Sequence, residues 1–393
     1  MVVTFRSQVR TALVAGSVLA SLLVAAPAPV AAADPPCQEK PDPTVTHHFY
    51  EDNPTYHGDD NAWTTSTPEA VDLDSGKLED GLNQIKSNPL LLSTLVIRHG
   101  KLAMERYLHN SKRTDSNNIH SASKTILRLL LAIAVRDGYI QSLDVPVSSI
   151  LPQYFTGPSD PRNAITLRHL ATMTSGLQWQ EDCTENAIEK QHDWVKAILD
   201  RTFDPAALGK TGNYSTGNSH VLSAVLTKAT GMSTASLAAQ KLFGPLGITA
   251  EHWGSDPTGI SSGGYNVYMS PREMARVGQL MLQHGQWNGT QLVPAADIAD
   301  ATQRVWSDPE TPEFGYGQLM WLRTIDGHDM FFAWGFNGQF IYVIPSMDIV
   351  VVTTENTAGD ENEINSKTFL QAVIAACKKD CNVSGADLLR NGR

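Results

Sequence analysis

The chain has 393 residues, 41% of them apolar and 18% charged, with 29 Gly and 21 Pro and no long biased tract. That composition is globular and excludes collagen-like, coiled-coil and wholly disordered chains; the length suggests two or three structural units, or one large unit with an insertion. Lys and Arg number 30 against 41 Asp and Glu, a formal charge of −11, and without a basic cluster to meet phosphates no nucleic-acid partner is expected.

Residues 1–33 contain no acid and two basic residues, Arg6 and Arg10, ahead of an apolar stretch from Ala12 to about Ala26. This is the layout of a secretory signal peptide, and the small residues from Pro29 to Ala33 place cleavage after Ala33. No later stretch is long and apolar enough to span a bilayer. The expected product is exported, periplasmic or extracellular, with no transmembrane anchor after cleavage. Residues 34–75, rich in Pro, Asp, Thr and His, read as an irregular arm.

From Leu90 to Leu108 two apolar runs flank His99-Gly100, the pattern of a β-hairpin. Lys124 to Arg136 has a helical apolar period and stops at Asp137-Gly138; His220 to Thr230 and Met274 to His284 are similar. Four short runs, Tyr316–Arg323, Met330–Trp334, Gln339–Ile344 and Ile349–Thr354, are separated by turn residues and predict hairpin-linked antiparallel strands. Glu361 to Ala376 begins with acids and carries an apolar stripe, as an amphipathic helix would. Strands at both ends of a helical middle predict an α/β domain from residues 76–120 and 257–385, with a mainly helical domain, 121–256, inserted. There is no internal repeat.

The four cysteines, Cys37, Cys183, Cys377 and Cys381, favour disulfides in an oxidising compartment. Cys377 and Cys381 end a helical pattern, and at least one of them could instead reach Cys37 if the termini meet. No CxxC pair and no nearby His supports a metal.

Ser121-Ala122-Ser123-Lys124 opens the apolar helix. Residues three apart share a helix face, so the Lys124 amine can approach the Ser121 hydroxyl and act as its base once burial or a neighbouring cation lowers its pKa. By itself S-x-x-K also describes an N-cap serine with an exposed lysine. Gly259-Ile260-Ser261-Ser262-Gly263 fits the nucleophile elbow G-x-S-x-G, which needs a buried strand before it and a helix directly after it. Neither is predicted, so Ser261 reads as a loop residue.

From Leu82 to Cys377 the chain resembles the serine β-lactamase and penicillin-binding-protein superfamily, in particular its class C-like branch of esterases, D-amino-peptidases and nylon-oligomer hydrolases. The likeness is carried by Ser121 to Lys124, Leu143-Asp-Val-Pro-Val147, Leu170 to Leu177, Tyr214-Ser215-Thr216, Phe243 to Ile248, Gly263-Gly264 leading to Met269–Gly278, and Trp334 to Gln339. The resemblance implies an α+β fold: a central antiparallel sheet of five-stranded type flanked by helices, beside a helical domain, with the site in the cleft between. It implies Ser121 as nucleophile, Lys124 and Tyr214 as base and proton shuttle, and backbone N–H groups of Ser121 and Gln339 as oxyanion hole. Substrate would lie against Thr216, Phe336, Asn337, Gly338 and Trp179, and no cofactor or metal is implied.

Two departures bear on the substrate. Tyr214-Ser215-Thr216 has a hydroxyl where the family's Tyr-x-Asn has an amide, for which Asn218 is a candidate replacement. Phe336-Asn337-Gly338 lacks the basic first residue of the family's Lys-Thr-Gly or His-x-Gly, which helps to recognise a substrate carboxylate. The expected partner is therefore a small-molecule ester or amide without that carboxylate. A class C-like β-lactamase or D,D-peptidase, a non-catalytic binding protein on the same scaffold, and an α/β hydrolase using Ser261 are the alternatives. Glu181-Asp182 reads as a solvated loop pair, or else as a site for an amine. Oligomeric state is not legible.

Overall fold

The computed structural model describes residues 62–250, 252–309, 311–356 and 363–381; the signal peptide, most of the N-terminal arm and Cys37 lie outside them. Helix α1 (Ser75–Ile85) leads into strands β1 (Leu91–Arg98) and β2 (Lys101–Tyr107), the hairpin turning at His99-Gly100. The helical middle holds α2 (Ser123–Arg136), α3 (Glu181–Glu189) and α4 (Thr216–Thr230). After α5 (Pro271–Leu282) come β3 (Trp306–Ser307), β4 (Gly315–Tyr316), β5 (Trp321–Ile325), β6 (His328–Gly335), β7 (Gln339–Ile344) and β8 (Ile349–Glu355), then α6 (Glu363–Ala376).

These strands form one antiparallel sheet in the order β2-β1-β8-β7-β6-β5-β4-β3. The fold is mixed α/β with an antiparallel sheet, as expected, but the sheet has eight strands. The addition to the expected five lies beyond β6: β5, then the two-residue strands β4 and β3, which cover a strand edge that would otherwise present unpaired backbone groups. Period-two alternation explains why β8 is apolar from Ile349 to Val352. Val350 and Val352 enter a core with Ile126, Leu130 and Val277, while Ile349 and Val351 enter a second core with Leu78, Leu82 and Phe369. Covered on both faces, this half of the strand carries an apolar residue at each position.

Helix α5 starts at a Ser270–Glu273 capping box with Pro271 at its first position, a strong start signal. Helix α4 begins four residues before the predicted His220, because Ser215 Oγ accepts the Asn218 N–H at 3.1 Å and caps it. Cys377 is bonded to Cys381, and Cys183 is also in a disulfide. Among the described residues no helix is long and apolar enough to cross a membrane, and no His, Cys, Asp and Glu cluster could hold a metal ion.

Candidate active site

Ser121 sits in the single 3-10 turn His120–Ala122 that feeds α2. His120 has φ 45°, a left-handed conformation that a non-glycine residue adopts at some cost; its N–H donates to Asn118 Oδ1 at 3.0 Å. Ser121 is thereby held half-exposed on the wall of a cavity of about 480 Å³.

One turn on, Lys124 is 1% exposed. Its Nζ donates to Ser121 Oγ at 2.9 Å, Thr216 Oγ1 at 2.8 Å and Gly264 O at 3.2 Å, and lies 5.0 Å from the Tyr214 ring centre. Gly264 has to be glycine, since a Cβ there would stand 2.9 Å from Nζ and 2.8 Å from Thr216 Cγ2. Burial pushes the Lys124 ammonium below its ordinary pKa, and the negative fields of Glu181 and Glu185 oppose the shift. A lysine so desolvated can exist as the neutral amine and accept a proton from the hydroxyl beside it.

Glu181 belongs to this constellation, which corrects its reading as a solvated loop residue. It is the first residue of α3 and accepts from Thr216 N at 3.0 Å, from Thr216 Oγ1, and from Trp179 Nε1 at 2.5 Å. Thr216 therefore links the carboxylate to the lysine, and the buried Trp179 orients the carboxylate; neither of these two lines the cavity. The sequence signal was available: Glu181, Glu185 and Glu189 recur every fourth residue, which puts them on one helix face, and all three line the cavity. Asn218 does not replace the missing amide at Thr216. Its Oδ1 accepts from Ser175 and its Nδ2 faces the Met173 sulfur, inside the core.

On the far side β6 runs so close to the Ser121 turn that a Cβ on Gly335 would stand 2.1 Å from Ile119 O. Gln339 pairs with Gly335 across the β6–β7 hairpin, which brings the Gln339 backbone to the strand end beside Ser121. Phe336 is 43% exposed and lines the cavity, its ring edge-on to His120. Asn337 and Gly338, at φ 53° and 77°, form the turn behind it, and Asn337 is fully buried. Tyr214 lines the cavity and stacks on Trp321. Ser261 lies elsewhere: it is 3% exposed, its Oγ accepts from Ala235 N, its carbonyl accepts from Ser223, and no helix follows it directly.

A half-exposed serine at the head of an apolar helix, a buried lysine and a hairpin end across an open cavity stand together on a mixed α/β fold with an antiparallel sheet. The Beta-lactamase family model matches residues 92–376, and the chain belongs to that family. The 6-aminohexanoate-dimer hydrolase of Paenarthrobacter ureafaciens is 24% identical over 285 residues, covering 66% of this chain and 70% of the relative. Among solved structures, EstCE1, a hydrolase with promiscuous acyltransferase activity, aligns at TM-score 0.62 and 15% identity over 76% of this chain and 98% of its own. A D-stereospecific amidohydrolase from Streptomyces aligns at TM-score 0.57 and 18% identity over 76% and 98%. Hydrolases thus recur among the relatives, and the solved structures share the fold.

Proposed function

We propose that the chain is an exported serine hydrolase that cleaves a carboxylic ester or amide through an acyl-enzyme on Ser121. The observation that carries this is the 2.9 Å contact between Ser121 Oγ, at the wall of the cavity, and the desolvated Lys124 Nζ. In the neutral form Lys124 takes the serine proton as Oγ attacks the carbonyl carbon. The backbone N–H groups of Ser121 and Gln339 receive the oxyanion of the tetrahedral intermediate, and Tyr214 helps return the proton to the leaving oxygen or nitrogen. Water, deprotonated by the same groups, then releases the acid. The absence of a basic residue at Phe336 and the carboxylates on the cavity wall favour substrates without a carboxylate there.

The test is hydrolysis of p-nitrophenyl butyrate by the residue 34–393 protein. The expected loss in Ser121→Ala is about 10³-fold or more in kcat/KM, with Ser261→Ala close to wild type. An equally active Ser121→Ala protein overturns the reading, and faster turnover of a chromogenic cephalosporin than of the ester moves it to β-lactamase.

A further inference from the structure

Lys124 has to shed a proton before it can act as a base, and it is 1% exposed. Its Nζ has three hydrogen-bond partners among the described residues, and they differ in what they can do with a proton. Gly264 O is a carbonyl with no proton of its own to pass on. Ser121 Oγ is the nucleophile, and once acylated it has no hydroxyl left. Thr216 Oγ1 is a hydroxyl, which can take a proton on a lone pair while giving up the one it carries. Tyr214 meets Nζ with its ring, 5.0 Å from the centre.

Thr216 passes that proton in a defined direction. Its Oγ1 donates to Glu181 Oε1, while Glu181 Oε2 accepts from Thr216 N at 3.0 Å and from Trp179 Nε1 at 2.5 Å. Two fixed N–H groups thus hold one carboxylate oxygen and leave the other for the hydroxyl. Glu181 is half-buried and lines the cavity, so the far end of the series Lys124, Thr216, Glu181 meets solvent. Thr216 is 5% exposed and does not line the cavity; its hydroxyl serves the lysine and the carboxylate, not a substrate. The amide of the family's Tyr-x-Asn would accept a hydrogen bond here but would not hand a proton on. The hydroxyl at Thr216 gains its use from the carboxylate at Glu181.

Building on the hydrolase reading, we propose that Thr216 and Glu181 are the proton exit of Lys124, emptying the base between acylation and deacylation. Both act through Lys124 and not on the substrate. When Ser121 Oγ attacks an ester whose leaving group departs as an anion, the serine proton stays on Lys124 as an ammonium, and water cannot be deprotonated until it goes. Nζ then gives a proton to Thr216 Oγ1 as that hydroxyl gives its own to Glu181 Oε1, and the carboxylic acid releases it to water in the cavity. Lys124 is left neutral, Thr216 unchanged and Glu181 ionised again. An alcohol or amine leaving group carries the proton away itself, and the exit is not needed.

The experiment compares p-nitrophenyl butyrate with ethyl butyrate above the pKa of nitrophenol. Both give the same butyryl-enzyme on Ser121, but only the first leaves Lys124 protonated. Thr216→Val keeps the shape and the Glu181 charge. In it, steady-state turnover of the nitrophenyl ester is expected to fall about tenfold behind a burst of nitrophenolate, against less than about threefold for ethyl butyrate. Glu181→Gln, whose amide cannot take the proton, is expected to show the same selective loss, and Thr216→Ser to recover most of it. Losses equal for the two esters, or no loss for either, overturn the proposal while leaving the hydrolase reading intact. If Thr216→Val fails to fold, the Glu181→Gln comparison decides. A wild type that hydrolyses neither ester overturns the hydrolase reading, and the proposal with it.

Discussion

Arg98 and Lys124 are among the cations buried in this molecule, at 0% and 1% exposure, and their surroundings differ in kind. Arg98, at the end of β1, donates to five backbone carbonyls: Met347 at 3.1 Å, Val71 at 2.9 Å, Asp72 at 3.0 Å, and Lys379 and Asp380 at 2.6 and 3.4 Å. Burial lowers its pKa and Asp72, Asp348 and Asp380 oppose the shift, but a guanidinium keeps its proton, so it works as a fixed staple. Lys124 has two hydroxyls and one carbonyl, and its nearest named carboxylate acts through Thr216. The same desolvation that Arg98 tolerates leaves Lys124 able to lose its proton. Burial alone does not define function; the number of acceptors and the intrinsic pKa decide which cation holds structure and which can do chemistry.

The sharpest way to separate the two is Lys124→Met, which keeps length and removes the base. Ester hydrolysis is expected to fall about 10³-fold or more, while the midpoint of urea unfolding rises slightly, since an imperfectly compensated buried cation is replaced by an apolar chain. A destabilised Lys124→Met protein would mean that the lysine, like Arg98, is mainly structural. Arg98→Met should do the reverse, costing about 3 kcal/mol of unfolding free energy by stranding buried carbonyls, with kcat within about twofold of wild type. The smallest effect concerns the pH profile. Hydrolysis is expected to rise with pH as Lys124 deprotonates, with an apparent pKa below the ordinary lysine range; because Glu185 raises that pKa, Glu185→Gln should shift the rising limb to lower pH, by less than about one unit. A shift to higher pH would contradict the assignment of the limb to Lys124.

The difference between the two cations also marks what could be read from sequence. The approach of Lys124 to Ser121 was legible because it is local, three residues apart where a 3-10 turn runs into α2, and the hairpins were legible from alternation and turn residues. Glu181 was legible only in part: its spacing with Glu185 and Glu189 marks one helix face, but its role depends on Thr216, 35 positions away. Arg98 likewise meets partners 249 and 281 residues later. Asn218 shows the opposite error, a residue close in sequence to the gap it was expected to fill but facing the core.

The pairing of β1 with β8 has a consequence for how the chain comes together. Leu95 lies opposite Val352, so the strand nearest the start of the sheet waits for nearly the last strand made before it gains its central neighbour. Closing a loop of that length is slow compared with forming the helices between. The sheet can form only after β8 has been made, and the Arg98 staple only after Lys379 and Asp380. During synthesis the β1–β2 hairpin waits with its β1 edge unpaired and the α2 helix has no sheet to cover, so apolar surface stays exposed until β8 arrives.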